Sequence, residues 1–148
     1  MLQKQLTLLR AAAVGKTIPT FSAKDMDGNA VTDKDLGDGL AVVSVWSSWN
    51  YESQEMQRQL KRRARKSGGR LKLVSIAIDA DRKSCQGIID RDTISWPNIL
   101  DGKLFESPTL KKLGLSNVPD NLLVDHRRII ARGLTTHELY DKLDELIK

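Results

Sequence analysis

Two continuous apolar runs constrain the fold of this 148-residue chain more than any other feature. Residues 40–46 and 71–78 are rich in β-branched side chains, as is typical of strands that are buried on both faces. Between them, Met56, Leu60 and Ala64 recur one helical turn apart. A strand–helix–strand order calls for two parallel strands joined by a right-handed crossover. The sequence therefore predicts an α/β domain with a parallel core.

Shorter elements surround this core. Residues 21–31 predict a β-hairpin with its turn at Asp27 and Gly28, ahead of the first buried strand. After the second buried strand we expect a helix, a loop and a short helix, at residues 82–92, 96–98 and 108–113.

The C-terminal part predicts antiparallel strands and a last helix. Residues 121–124 and 128–131 predict two strands joined by a tight turn, so the whole sheet should be mixed. Thr135 and Glu138 have the spacing of a capping box, which predicts that a helix starts there. Four apolar residues of this helix should face the core: Leu139, Leu143, Leu146 and Ile147.

The chain is predicted to contain one domain, at residues 15–148, preceded by an amphipathic helix at residues 1–14. Leu2, Leu6 and Leu9 recur at helical spacing, and Arg10 interrupts the apolar region that a signal peptide needs. No apolar run approaches the roughly 20 residues of a membrane-spanning helix. We therefore expect a soluble chain with no transmembrane segment and with any targeting signal absent from it.

Several short segments, taken in their order and spacing, resemble the thioredoxin-like superfamily. The resemblance is to its bacterial extracytoplasmic branch of periplasmic or membrane-anchored thiol-disulfide oxidoreductases, and it runs from about Gly15 to the C-terminus. The segments are residues 15–21, Asp27-Gly28, residues 46–49, Val118-Pro119 and residues 123–125. The resemblance implies a three-layer sandwich, in which helices flank a central mixed β-sheet with an N-terminal β-hairpin extension. It also implies a periplasmic or cell-envelope setting.

The chain departs from this family at its catalytic motif. In the family, Cys-x-x-Cys follows the tryptophan where a strand passes into a helix, and such a helix start favours a reactive thiolate. Here the motif positions are Asn50-Tyr51-Glu52-Ser53, so an amide and a hydroxyl replace the two thiols. The related peroxiredoxins carry their peroxidatic cysteine at about the same junction, so Asn50 also argues against peroxidase chemistry. No catalytic residue is assigned, and Asn50 is instead a favourable N-cap.

The resemblance further implies that Pro119 is cis and lies beside this junction, shaping a groove for extended peptides. The expected groove residues are Trp49, Asn50, Tyr51, Ser53, Val118 and Pro119. A protein or extended peptide would bind there by strand addition, which needs no sulfur. We expect Asp120 to add negative charge beside the groove, and we assign Trp46 to the core.

Cys85 is the single cysteine, and a dithiol–disulfide cycle needs a second thiol to resolve the mixed disulfide. The leading hypothesis is a redox-inactive binding or structural module rather than an enzyme. The alternative is an unusual monothiol oxidoreductase that uses Cys85 with glutathione or a partner's thiol. Cys85 shares an apolar helical face with Ile88 and Ile89, which favours a buried structural role. Engineered loss of the pair is a third possibility, but Asn50 is an uncommon design choice.

The formal charge of +5 comes from 24 Lys and Arg against 19 Asp and Glu, and much of the excess lies in residues 58–72. This stretch lacks interleaved aromatic residues and keeps helical spacing, which favours a solvated helix face over a nucleic-acid site, although weak attraction to an acidic partner stays open.

His126 and His137 have no metal-ligand spacing, and no phosphate-binding loop is present. We expect no cofactor, no metal and no nucleic-acid partner; the sequence does not fix the oligomeric state.

Overall fold

The structure is a computed structural model, and it describes residues 12–148. Except for its last three residues, the predicted N-terminal helix at residues 1–14 lies outside this range. The described elements, in chain order, are β1 (Ser22–Lys24), β2 (Ala30–Thr32), β3 (Ala41–Trp46), α1 (Tyr51–Lys66), β4 (Lys72–Ala77), α2 (Arg82–Asp92), β5 (Asn98–Ile99), α3 (Pro108–Lys112), β6 (Asp120–Asp125), β7 (Arg128–Arg132) and α4 (Thr136–Leu146). Short 3-10 turns lie at Asp33–Leu36 and Leu104–Glu106.

A mixed sheet forms the middle layer, with strand order β5-β4-β3-β6-β7. β3 lies at its centre, parallel to β4 and antiparallel to β6, and all six of its residues are buried. The fully buried position explains why this strand is apolar on both faces instead of alternating. The predicted mixed sheet and thioredoxin-like architecture are confirmed.

Helices cover one face of the sheet, and the N-terminal segment and α3 cover the other. Met56 and Leu60 of α1 pack with Leu139 and Leu143 of α4 on one side. On the opposite side the core includes Phe21 and residues of β2 and α3. The predicted capping box at Thr135 and Glu138 is present and starts α4.

Backbone segments cover both edges of the sheet. Along β7, Gly15 N–H donates to the Ile129 carbonyl at 2.8 Å, and Ile129 N–H donates to the Lys16 carbonyl at 2.9 Å. At the other edge, Asp25 of the hairpin turn forms a bridge with Ile99. Because an uncovered edge is a template for pairing with another chain, these contacts leave less of each edge open to such pairing.

Two predicted features were wrong. Residues 96–98 were expected to form a loop, but Asn98 and Ile99 pair with β4 as a buried strand, fixed by the bond from Trp46 Nε1 to Asn98 Oδ1 at 2.8 Å. Leu146 was expected in the core but is 37% exposed. It is the last residue of α4 and borders an open cleft beside Leu40 and His126.

Candidate functional site at the first strand–helix corner

The corner between β3 and α1 carries the two positions that replace the family's thiols. Asn50 is the N-cap of α1, and its side-chain Oδ1 accepts a hydrogen bond from Ser53 N–H at 2.7 Å. Its Nδ2 points toward the Val118 carbonyl oxygen at 3.5 Å. Asn50 therefore fixes the helix start and joins it to the loop before Pro119.

Ser53 lies beneath the corner instead of lining the predicted groove. It is fully buried, its Oγ accepts from Ser47 N–H at 3.1 Å, and the same hydroxyl donates to the Asn50 carbonyl at 2.8 Å. Gln54 closes the corner further by donating from Nε2 to the carbonyls of Ser47 and Ser48. The hydroxyl of Ser53 is thus used for structure and presents no surface to a ligand.

Aromatic residues at the corner divide between core and surface. Trp46 is fully buried, as expected, whereas Trp49 is 60% exposed and Tyr51 is 74% exposed. The Trp49 ring is fixed by a hydrogen bond from Nε1 to the Ile78 carbonyl at 3.0 Å. Arg58 lies over the Tyr51 ring at 5.6 Å. Two aromatic surfaces therefore face solvent at the helix start.

The loop before β6 lies opposite Asn50. The peptide bond between Val118 and Pro119 is cis, and both residues are half-buried. Within residues 12–148, no hydrogen bond is made by the Val118 N–H, and its carbonyl receives the Asn50 amide. These backbone groups have the chemistry that an added peptide strand requires.

Asp120 does not play the predicted role. Its side chain is buried, and its carboxylate accepts hydrogen bonds from the backbone N–H groups of Ser116, Asn117 and Asn121 at 2.9–3.2 Å. We expected its negative charge beside the groove, but the carboxylate points into the loop before β6 and stabilises that loop.

The layer beneath the corner is a neutral hydrogen-bonded network. Ser44 and Ser75, paired across β3 and β4, lie with their hydroxyl oxygens 2.8 Å apart. Gln57 bonds to both hydroxyls, and Trp96 Nε1 donates to Ser75 Oγ at 2.8 Å. Such a satisfied network rigidifies the corner. It supplies no ionisable group for proton transfer.

Asp79 is a corner residue that sequence reasoning missed. It is buried, and its carboxylate accepts from the Ser48 N–H at 3.0 Å and from the Ser48 hydroxyl. Asp79 follows directly after the second apolar run. Since parallel strands end at the same edge of a sheet, that position was a usable signal.

Cys85 lies inside the neighbouring helix start and is inaccessible. The side chain is fully buried and packs with Trp46 and Ala77. Burial, with a smaller contribution from the nearby Asp79 carboxylate, raises the pKa of the Cys85 thiol to about 12. A thiol that stays protonated near neutral pH is a poor nucleophile. The burial and the raised pKa agree with the predicted structural role of Cys85.

The basic stretch is partly neutralised by ion pairs. Arg58 contacts Glu55 and Asp92, and Arg63 contacts Asp144 and lies 4.8 Å from the centre of the Tyr140 ring. In the part of the chain that the structure describes, no cluster of His, Cys, Asp or Glu has the arrangement of a metal site. None of the described helices is long and apolar enough to cross a membrane.

The fold and this corner define a thioredoxin-like protein, and structural comparison agrees. A thiol-disulfide oxidoreductase from Bacteroides fragilis is 26% identical with a TM-score of 0.76, over 88% of this chain and 99% of that one. The thioredoxin domain of a thiol-disulfide oxidoreductase from Bacteroides vulgatus is 20% identical with a TM-score of 0.77, over 92% and 99%.

A more distant similarity is to a secreted disulfide oxidoreductase of Mycobacterium tuberculosis, described as homologous to E. coli DsbE. It is 17% identical with a TM-score of 0.66, over 84% of this chain and 95% of that chain. No family model matches the sequence, and no curated protein matches it. The chain is a member of the thioredoxin-like superfamily, and the solved structures similar to it include bacterial thiol-disulfide oxidoreductases.

Proposed function

We propose that this chain is a redox-inactive thioredoxin-like module that binds an extended segment of a protein partner at the corner between β3 and α1. The observation that carries the proposal is that the side chains of Asn50 and Ser53 both have a structural role at this corner. Both side chains stand where the family's thiols would be, and both are engaged in hydrogen bonds that hold the corner together. The setting that fits the extracytoplasmic neighbours is the periplasm or cell envelope of a bacterium.

Three features support peptide binding at this corner. The Val118 N–H has no partner among the described residues, and the Val118 carbonyl has one long contact. Trp49 offers a fixed, exposed ring beside them. Backbone contacts occupy part of both sheet edges, whereas the Val118 loop offers backbone groups that are free for an extended segment.

Monothiol chemistry through Cys85 is disfavoured on two grounds, and both follow from the burial of the thiol. A mixed disulfide requires the two sulfur atoms to come into contact, and Cys85 is fully buried. The raised pKa also leaves very little thiolate at neutral pH.

Two measurements test the proposal. In an insulin-reduction assay with dithiothreitol, the wild-type chain and Cys85→Ser should both match the uncatalysed rate. Wild-type turnover that Cys85→Ser abolishes would establish the monothiol alternative. In a binding screen on an array of random peptides, a subset should bind, and N-methylation of a bound peptide's backbone should abolish binding. An array with no bound peptide would refute the binding role.

A further inference from the structure

The sheet edge at β5 is incomplete. In the described chain, β5 pairs with β4 at Ser75 and Ile76, and no strand lies beside the first half of β4 on that side. Lys72 N–H donates toward β3, whereas Ser75 N–H donates to the Pro97 carbonyl beside β5. Successive residues of a strand direct their backbone groups to alternate sides. Leu73 therefore directs its N–H and its carbonyl to the open side.

A proline explains why the pairing stops at this point. Continued in the same register, β5 would bond the N–H of residue 97 to the Leu73 carbonyl, but Pro97 has no N–H. Within residues 12–148, neither the N–H nor the carbonyl of Leu73 makes a hydrogen bond. Leu73 is only 6% exposed, and buried backbone groups without a partner are rare in folded proteins. Such groups mark a place where water or a ligand supplies the bond.

An open cleft lies along this part of the edge. Leu73 lines it together with Ala64, Gly69, Lys72 and Trp96. Its volume of about 300 Å³ is far larger than the roughly 15 Å³ that a single water requires. The Trp96 ring is already fixed by the bond from its Nε1 to a buried serine of β4. The cleft is therefore preformed, and it has room for a segment of polypeptide beside Leu73.

Cations surround this cleft. Lys72 lines it, and Arg65 and Lys66 follow Ala64 at the end of α1. All three cations are exposed, and none of them forms an ion pair in the part of the chain that the structure describes. Asp35 is the one carboxylate among the described lining residues, and it is engaged in the capping box of the first 3-10 turn. Like charges oppose edge-to-edge pairing with a second copy of the chain, and they favour an acidic partner.

We propose that this open edge is a second binding surface, at which an extended acidic segment of a protein partner adds as a strand beside β4. One residue of the segment pairs with the N–H and the carbonyl of Leu73, and neighbouring carboxylates face Lys72 and the end of α1. The surface lies at the start of β4, whereas the Asn50 corner lies beyond the ends of the parallel strands, roughly 20 Å along the sheet. The two sites share no residue, so this inference does not depend on the proposed function.

The test measures the binding of two fluorescein-labelled peptides by fluorescence anisotropy. The first is Glu-Glu-Val-Thr-Val-Glu-Glu, and the second has lysine in place of each glutamate. The acidic peptide should bind at least about tenfold more tightly at low salt, and added salt should reduce the difference. Methylation of its backbone nitrogens, one at a time, should abolish binding at alternate positions, because every second N–H faces β4.

Lys72→Glu should lower the affinity for the acidic peptide by about tenfold. Lys83→Glu is the matched control, because it makes the same charge change at an exposed lysine beyond the opposite end of β4; it should leave the affinity unchanged. Pro97→Ala supplies the missing N–H, so it should also weaken binding by competing for the Leu73 carbonyl.

Three outcomes would overturn the inference. The first is equal binding of the acidic and the basic peptide, or an affinity that Lys72→Glu leaves unchanged. The second is binding that is lost in Trp49→Ala and kept in Lys72→Glu, which would place the acidic peptide at the Asn50 corner and support the proposed function alone. The third is a dimer in sedimentation velocity that Pro97→Ala dissociates, since the occupant of the edge would then be a second copy of the chain.

Discussion

Two strand–helix junctions lie side by side at the same edge of the sheet, and they divide what a redox site needs. At the first, β3 passes into α1 with Asn50 as the N-cap. At the second, β4 passes into α2 with Asp81 as the N-cap. The first junction is partly exposed and has no sulfur. The second contains Cys85, which is buried in the first turn of its helix.

The difference shows that a thiol and a thiolate-stabilising environment are separate properties. A partly exposed helix start favours an anion, because free N–H groups and the helix dipole point at it. The second junction instead buries its thiol against Trp46 and Ala77, and this burial, with a smaller contribution from the Asp79 carboxylate, raises the thiol pKa. The chain retains a sulfur, but in the surroundings where sulfur is least reactive.

The largest expected effect comes from placing sulfur at the first junction. In a Cys85→Ser background, Asn50→Cys with Ser53→Cys should form a disulfide on mild oxidation, because the two residues already contact each other through backbone and side chain. Insulin reduction should rise from background by orders of magnitude. Thiol titration before and after oxidation, followed by the turnover assay, measures both.

The matched control is Asn50→Cys alone in the same background. It should show one reactive thiol and no intramolecular disulfide. Two free thiols that persist in the oxidised, folded double variant would show that the motif alignment is wrong.

The second prediction concerns Cys85 in the native chain. A rise in pKa from 9.0 to about 12 lowers the thiolate fraction at pH 8 by about a thousandfold. Alkylation by iodoacetamide should therefore be at least that much slower in the native state than in urea. Rapid native labelling would mean that the second junction opens.

The buried thiol of the second junction should also make the free energy of unfolding depend on pH. Because the folded pKa of Cys85 lies above the unfolded value, the contribution of this raised pKa to stability is complete below pH 9 and is lost as the pH rises toward 12. Cys85→Ala should remove this alkaline dependence of the free energy of unfolding.

The sequence predicted the two junctions well because they depend on local patterns. Residues 40–46 and 71–78 are long β-branched runs, and Asn50 is a favourable N-cap whose bond to Ser53 is present. Trp46 was assigned to the core for the same reason and is buried.

What could not be predicted depends on contacts between distant residues. β5 is two residues long, too short for a periodic signal, and it is fixed by the bond between Trp46 and Asn98. The direction of the Asp120 carboxylate follows from how its loop folds around it. The burial of Ser53 likewise requires the Ser47 backbone above it.

The fourth prediction compares a serine in each junction. Ser53→Ala leaves the buried Ser47 N–H without its partner, so it should lower the free energy of unfolding by about 1–3 kcal/mol. Ser84→Ala removes the exposed bond to Asp81 and should change it by less than about 0.5 kcal/mol. Urea unfolding measures both. Equal effects would contradict the structural role assigned to Ser53.

The smallest effect separates the two N-caps by their pH dependence. The Ser84 hydroxyl, and then the Lys83 N–H, hold the pKa of Asp81 below its ordinary value of 3.8, whereas the Asn50 cap does not titrate. A carboxyl with a lowered folded pKa stabilises the fold above the unfolded pKa and loses that contribution as the pH falls. The destabilisation by Asp81→Asn should therefore shrink between pH 6 and pH 3. The destabilisation by Asn50→Ala, about 1 kcal/mol, should stay constant over the same range. Urea unfolding of each variant at both pH values measures the difference, and a constant Asp81→Asn effect would show that its cap is not charge-dependent.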